Sequence, residues 1–231
     1  MTRRRVLLST AVVWLVGFGT LRLSLLAPES CPRVDDDRAL EAATAAAGWI
    51  EAGQQADGRY LYEYDRSDAE ARPGYNIVRH AGVTMSLYQL AAARDGDDTE
   101  LLAAADTGLE YMLDRLEPAG DGRALVDQGS SEARLGAGAL MAAALAARRD
   151  ATGDPRYDRE LRALGRYMTG QIEPSGRALD AYDLVEDAPL PDQTSRYSAG
   201  EAGWAIARLN TLFPDEGWDA PARRVADYLA T

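Results

Sequence analysis

Three side chains able to transfer protons stand close to an Ala-Gly pair that recurs along the chain. The pair occupies positions 81–82, 137–138 and 202–203. Aligning the pairs places His80 opposite Glu201, and Asn76 opposite Glu132 and Tyr197. Two carboxylates held across a bond supply the proton donor and the base that sugar chemistry needs, and a histidine exchanges protons near neutral pH. The alignment therefore predicts a catalytic group of His80, Glu132 and Glu201.

A second set of residues has types suited to holding a ligand beside that group. An arginine such as Arg79 can pair with a carboxylate. Tyr60, Tyr62 and Tyr64 alternate along an extended segment and so share one face. Together with Tyr75 and Trp204, they predict an aromatic wall that stacks on sugar rings. The predicted substrate-binding residues are Asn76, Arg79, Tyr75, Tyr197, Trp204 and Tyr62.

Each of these residues also has a structural interpretation, and both interpretations stay open at this point. A single histidine at the start of a helix is commonly a hydrogen-bonded structural residue. Glu132 and Glu201 follow serines in what are predicted to be first helical turns, where a carboxylate stabilises the helix N-terminus without any catalysis. Alternating tyrosines are also typical of a half-buried strand.

The composition argues against several other classes of protein. The formal net charge is −12, and so negative a surface repels phosphate backbones, which argues against nucleic acid as a partner. A single histidine and the single cysteine, Cys31, cannot build the usual zinc site or an internal disulfide. The sequence has no glycine-rich phosphate loop and no serine nucleophile elbow. We therefore expect neither a metal nor a cofactor.

Seven helices are predicted to position these side chains. Three of them are apolar nearly all round, as expected of helices enclosed by other elements. They cover 75–94, 131–149 and 197–213. The other four have one apolar stripe at helical spacing and charged residues elsewhere, which predicts one buried face and one solvent-exposed face. They cover 37–54, 97–116, 155–172 and 217–230. Outer and inner helices therefore alternate along the chain.

A short extended segment precedes each predicted inner helix and carries a related string of residues. The strings begin Asp57-Gly-Arg, Asp121-Gly-Arg and Ser175-Gly-Arg. Self-similarity of this kind predicts a repeated unit that pairs two helices through an extended segment.

The alternation of outer and inner helices resembles the α/α toroid of six-hairpin glycosidases, glucuronyl C5-epimerases and sugar epimerases, with terpenoid cyclases as a second choice. The string from Tyr75 to Gly82 is the part most similar to these families. The resemblance implies an all-α fold, either an α/α toroid or an arc of helical hairpins with short β segments. It also implies that the loops entering the inner helices line a central cavity, and that an active member would be a glycoside hydrolase, a lyase or a sugar epimerase.

The N-terminal sequence is typical of a membrane segment. Arginines at 3–5 precede an apolar run that extends from residue 6 to residue 26 with Arg22 snorkelling, about 31 Å of helix and enough to cross a bilayer. The basic flank predicts that this end stays inside, although a cleaved export signal has the same pattern. The predicted layout is a signal anchor over 1–26, a linker over 27–36 and a toroid-like domain over 37–231. It corresponds to a single-pass cell-membrane protein whose C-terminal domain lies outside the cytoplasm.

These observations predict a membrane-anchored protein, related to carbohydrate-active enzymes, that acts on or binds a glycan or a uronic-acid polymer. The alternatives are a non-catalytic helical scaffold that binds a glycan or an envelope protein, and a terpenoid-cyclase-like protein. A six-hairpin toroid needs twelve helices, whereas residues 37–231 supply seven. We therefore predict an incomplete toroid with an exposed apolar flank, to be covered by self-association or by a missing C-terminal half.

Overall fold

Eight α-helices and seven short strands provide the regular structure of residues 3–25, 34–94 and 98–231, the part of the chain that the computed structural model describes. The helices are α1 (Arg3–Leu25), α2 (Asp36–Ala52), α3 (Ile77–Ala93), α4 (Thr99–Leu113), α5 (Leu135–Thr152), α6 (Asp158–Gly170), α7 (Ser198–Leu212) and α8 (Asp219–Leu229). The strands are β1 (Tyr64–Asp65), β2 (Glu70–Ala71), β3 (Leu116–Ala119), β4 (Gly122–Leu125), β5 (Glu132–Arg134), β6 (Ala181–Asp183) and β7 (Ala188–Pro189). The seven helices predicted after residue 36 are thus confirmed.

The chain divides into two units, Met1–Leu40 and Glu41–Thr231. In the first unit, residues Leu7–Leu25 of α1 are long and apolar enough to cross a membrane, and a signal sequence near the N-terminus would pass the same test. Most of the predicted linker, residues 27–33, lies outside the described residues, as does Cys31.

The second unit is built on three inner helices. Helix α5 lies between α3 and α7, while α4 packs on α3, α6 packs on α5 and α7, and α8 packs on α7. Most of α5 is buried, as its all-round apolar sequence predicts. The outer helices α4 and α6 bury a single stripe each, which confirms the predicted alternation.

The strands form the loops that enter the inner helices. β1 pairs with β2, and β3 pairs with β4, both antiparallel. β5, β6 and β7 form an antiparallel three-stranded sheet, with Glu132 opposite Asp183 and Arg134 opposite Ala181. This sheet joins the entry to α5 with the entry to α7, so residues far apart in sequence meet at the N-terminal ends of both helices.

The repeated glycines explain why the extended segments resemble one another. Each packs against a backbone carbonyl of the following outer helix: Gly58 against Thr107, Gly122 against Ala163, and Gly176 against Arg224. A Cβ atom at any of the three would come closer to that carbonyl than real Cβ atoms do, and Gly58 and Gly176 also have positive φ angles of 90° and 89°. The repeat therefore marks the joint between consecutive hairpins.

Candidate functional site

His80 lies in an interior cluster with Tyr60, Tyr75 and Tyr111, which we call the His80 cluster. Its ring centroid is 4.7 Å from that of Tyr60, 4.9 Å from that of Tyr111 and 5.9 Å from that of Tyr75. The Tyr60 hydroxyl shares a 3.1 Å hydrogen bond with Oγ1 of Thr84, and burial raises the pKa of Tyr60 to about 12. The cluster therefore joins the start of α3 to α4 through aromatic packing and satisfied polar groups.

Both ring nitrogens of His80 are hydrogen bonded. Nε2 donates to the carbonyl oxygen of Gly108 at 2.7 Å, and Nδ1 bonds the hydroxyl of Tyr75. A carbonyl oxygen can only accept, so Nε2 carries a proton and Nδ1 of the neutral ring accepts from Tyr75. Burial is the main cause that lowers the pKa of His80 to about 4. The imidazole is consequently neutral at physiological pH.

Three members of the His80 cluster, Tyr60, Tyr75 and His80, line a cavity of about 480 Å³, which we call the aromatic cavity. Trp49 and Ile50 of α2 lie on one side, and Tyr62, Tyr75, Arg79 and Val83 lie on the other. Tyr62 and Tyr75 are ring neighbours, with centroids 6.2 Å apart. The remaining lining residues are Ala46, Tyr60, Leu61, Asn76 and His80.

Arg79 is the charged group of this cavity. Its guanidinium lies 5.1 Å from the centroid of the Tyr62 ring, a cation–π contact. The guanidinium of Arg59 lies 5.7 Å from the Tyr75 ring, but it is ion paired with Asp57 at 2.8 Å. Within the residues described, no acidic side chain pairs with Arg79, so its charge is available to a ligand.

A second cavity of about 420 Å³, which we call the mouth cavity, opens at the N-terminal ends of α3 and α5. It is lined by Asn76, Ile77, Val78, Leu125, Asp127, Gln128, Gly129, Ser130, Glu132 and Arg134. Asn76 lines both cavities, and it also caps α3 by accepting a 3.1 Å hydrogen bond from the backbone N–H of Arg79. The structure thus brings predicted residues from two inner-helix entries to one opening.

Glu132 reaches the mouth cavity from a strand and not from a helix. The predicted placement in a first helical turn is wrong, because Glu132 belongs to β5 and α5 begins three residues later. The hydroxyl of Ser130 bonds the backbone N–H and carbonyl of Glu132, and pairing with Asp183 completes the extended conformation. The carboxylate is held by Nη2 of Arg134 at 3.1 Å.

Glu201 lies in the first turn of α7, as predicted. Its Oε2 atom is 2.6 Å from the position of a Cβ atom added at Gly136, and a methyl carbon of Val78 is 3.7 Å from the same point. The carboxylate therefore covers the bare start of α5, next to the mouth cavity that Val78 lines. Burial and, less strongly, the negative charge of Asp180 raise the pKa of Glu201. Across the described part of the chain, this carboxylate has no ion pair or hydrogen bond.

Sequence reasoning missed Arg134, Gln193 and Ser198 in this region. Arg134 contacts Asp180 at 3.3 Å and Gln193 at 2.7 Å, in addition to Glu132. The hydroxyl of Ser198 is buried without a hydrogen-bond partner in the described structure. The recurring extended segments already marked the neighbourhood of Asp180, but only the pairing of β5 with β6 brings it to Arg134.

Tyr197 and Trp204 lie apart from both cavities. Tyr197 is 76% exposed before the first residue of α7. Trp204 is 43% exposed and lines a groove of about 400 Å³ between α7 and α8, together with Ala207, Ala226 and Leu229. The predicted aromatic wall is therefore wrong in two members, Trp204 and Tyr64, which do not line the aromatic cavity, whereas Tyr60, Tyr62 and Tyr75 do share it.

Comparison with solved structures shows the α/α-toroid, six-hairpin glycosidase-like fold. Cellobiose 2-epimerase from Bacillus thermoamylovorans superposes with a TM-score of 0.62 and 14% identity over 84% of this chain and 54% of its own. A family 76 glycoside hydrolase from a bovine Bacteroides thetaiotaomicron strain gives 0.61 and 15% over 83% and 41%. An inactive α-1,6-mannanase variant of Salegentibacter sp., solved with α-1,6-mannotriose, gives 0.61 and 12% over 83% and 70%.

The chain spans about half the length of several of the solved structures that it matches. No protein-family model and no curated protein matches the sequence. At such low identity the likeness shows the fold, and the same fold carries a hydrolase and an epimerase. The chemistry must therefore be argued from the site.

Proposed function

We propose that the protein binds a glycan at the N-terminal ends of its inner helices and performs acid–base chemistry on it. One observation carries the proposal: Glu201 is a half-buried carboxyl group with a raised pKa and, within the described residues, no partner. A raised pKa favours the protonated form, which is the form that a general acid needs. The solved structures named above are of carbohydrate-active enzymes, which favours a sugar over a terpenoid as the ligand.

Glu132 is the proposed base or nucleophile of the pair. Its carboxylate lines the mouth cavity and is fixed by Arg134. Asn76 and the nearby polar side chains offer hydrogen bonds to sugar hydroxyls, and Tyr62, Tyr75 and Arg79 offer a stacking surface and a positive charge. Tyr197 and Trp204 line neither cavity and have no part in this proposal.

His80 has a different role in this proposal. Its two hydrogen bonds and its low pKa keep it neutral and fixed. We assign it to positioning Tyr75, and through Tyr75 the wall of the aromatic cavity. Proton transfer by His80 is therefore not part of the proposed mechanism.

The experiment compares the full chain in detergent with Glu201→Gln and Glu132→Gln variants on a panel of neutral and acidic oligosaccharides. Loss of a general acid or base lowers turnover by about 100-fold or more, so both variants should lose that much. Glu110→Gln, which changes an exposed carboxylate on the outer helix α4, is the matched control and should keep full turnover. Equal rates in all four proteins, or no glycan binding at all, would contradict the proposal.

A second candidate function is a non-catalytic scaffold that binds a glycan or an envelope protein. The exposed groove of Trp204 and Leu229 favours it, because an apolar flank of this kind normally meets a partner. A second copy of the chain, or further helices, would cover the groove in this view. Glycan binding without turnover, unchanged in the glutamine variants, would select this function.

We also propose that α1 anchors the protein and that residues 37–231 lie outside the cytoplasm as a toroid-like domain behind the linker over 27–36. The support is the length and apolar composition of Leu7–Leu25 and the arginines that precede it. Protease added to intact spheroplasts should digest the toroid-like domain. In a separate, undigested membrane sample, the domain should remain membrane-bound after alkaline washing. Recovery of that domain in the soluble fraction would identify α1 as a cleaved signal.

A further inference from the structure

The aromatic cavity combines apolar walls with a single charged group. Trp49 is 57% exposed and lines the cavity. Tyr60, Tyr75 and His80 use their polar atoms within the interior, so they present mainly ring surface. Arg79 is the one lining residue that carries a full charge at neutral pH. This lining suits a ligand with a flat apolar face and an acidic group.

The positive charge matters because the rest of the chain is strongly acidic. With a formal net charge of −12, the protein repels anions on average. Among the described residues, no aspartate or glutamate lines the aromatic cavity and none pairs with Arg79. Nearby Arg59, by contrast, is already neutralised by Asp57. Arg79 is thus placed to accept a carboxylate that the remaining surface would reject.

The mouth cavity has the opposite character. Its lining includes the side chains of Asp127, Gln128, Ser130 and Glu132, which can bond several hydroxyl groups at once. Both volumes, about 480 Å³ and 420 Å³, fall in the usual range of about 300–1,000 Å³ for small-molecule sites. Asn76 lines both cavities, so the two adjoin.

We infer that the two cavities together bind an acidic oligosaccharide, with a uronate unit in the aromatic cavity and the adjoining unit in the mouth cavity. The C–H face of the uronate ring stacks on Trp49 and Tyr62, and its carboxylate pairs with Arg79. The chain then crosses Asn76, and the next sugar presents its hydroxyls to the polar lining. This inference rests on the proposed glycan function and adds the charge of the ligand and its minimum length.

The first test measures binding of trimers by calorimetry with the full chain in detergent. The ligands are the trimers of galacturonate, glucuronate and mannuronate, their methyl esters and the three monomers. Methyl esters keep the ring but remove the charge, so at least one acid trimer should bind at least ten-fold more tightly than its ester and its monomer. Failure of all three acid trimers to bind, or equal binding of acid and ester, overturns the inference.

The second test uses variants matched in charge. Arg79→Gln should weaken binding of the acid trimer at least ten-fold and leave the ester unaffected. Arg66→Gln removes the same charge from the exposed turn between β1 and β2 and should change affinity less than two-fold. Gln128→Ala should weaken the trimer but leave the monomer unchanged, because the monomer occupies only the aromatic cavity. Equal losses in the two arginine variants would show that general charge, and not the cavity, attracts the ligand.

These outcomes are separable from those of the proposed function. Turnover of a neutral glycan that depends on Glu201, with no preference for acid trimers, would keep the proposed function and overturn this inference. Tight binding of an acid trimer that depends on Arg79, without any turnover, would keep this inference and overturn the proposed chemistry.

Discussion

His80 and Glu201 are both titratable side chains near the start of an inner helix, but they differ in whether their polar atoms are bonded within the protein. His80 is 3% exposed and both its ring nitrogens are hydrogen bonded within the protein, so neither nitrogen is available to a ligand. Glu201 is half-buried, and within the described structure nothing pairs with it. The Ala-Gly alignment places the two at the same position of the repeat. Availability of the polar atoms, and not position, therefore separates the structural residue from the candidate catalyst.

The largest expected difference between His80 and Glu201 is in how each group changes the stability of the protein in acid. Folding lowers the pKa of His80 from 6.5 to about 4, so below pH 6.5 the unfolded chain binds a proton that the folded chain does not. The stability that neutral His80 contributes is fully present above pH 6.5 and is lost as the pH falls to about 4. At 1.36 kcal/mol for each pKa unit, this loss amounts to about 3 kcal/mol.

Urea unfolding of wild type and His80→Gln between pH 4 and 8 measures this contribution. The variant lacks the titrating group, so its curve should fall less steeply below pH 6.5. Glu201 acts in the opposite direction, because a raised pKa means that the folded chain takes up protons more readily as the pH falls. Glu201→Gln should therefore steepen the acid loss slightly. Identical slopes in wild type and His80→Gln would break the comparison.

Two helix glycines allow the same comparison with one identical substitution and a smaller effect. A Cβ atom at Gly108 would meet the Tyr60 ring, with Cζ at 2.8 Å, inside the His80 cluster. A Cβ atom at Gly136 would meet Oε2 of Glu201 at 2.6 Å, the end of a flexible side chain. Gly108→Ala should therefore lower the free energy of unfolding by about 2 kcal/mol through overpacking. Gly136→Ala should change it by less than about 1 kcal/mol, because helix propensity offsets the strain.

The two glycine substitutions should affect glycan turnover in the opposite order to their effects on stability. Gly136→Ala displaces the carboxylate of Glu201 and should reduce glycan turnover, while Gly108→Ala should retain turnover in the fraction that stays folded. Thermal unfolding and turnover measured on the same two proteins check both halves. If both alanine variants lose the same stability, the contrast between a fixed cluster and a free carboxylate does not hold.

The helices were predictable from sequence because their packing leaves a local pattern. Helix α6 has an apolar stripe at helical spacing, which predicts one buried face. Its members Leu161, Leu164 and Met168 are indeed buried. The continuous apolar run of α5 likewise indicates a helix enclosed by α3 and α7. Outer and inner roles therefore follow from periodicity.

The site was less predictable because non-local contacts define it. Glu132 carries helix-start signals in Ser130 and Ser131, yet strand pairing with Asp183, which lies about 50 residues further along, makes the segment extended. Trp204 belongs to a helix with apolar residues on several faces, and only the position of α8 shows that it lines a groove. Arg134 meets Asp180 only through the register of β5 with β6. None of these contacts leaves a periodic signal.

The glycine joints between hairpins bear on how such a protein changes over evolutionary time. Each joint places a glycine of one backbone turn against one carbonyl of the following outer helix, and a few nearby side chains, such as Gln54 and Arg166, add hydrogen bonds to backbone carbonyls there. Units connected in this way interact mainly with their immediate neighbours. Whole hairpins can therefore be duplicated or deleted at a joint without redesign of the rest, which provides one route by which a single architecture comes to exist in arcs of different length.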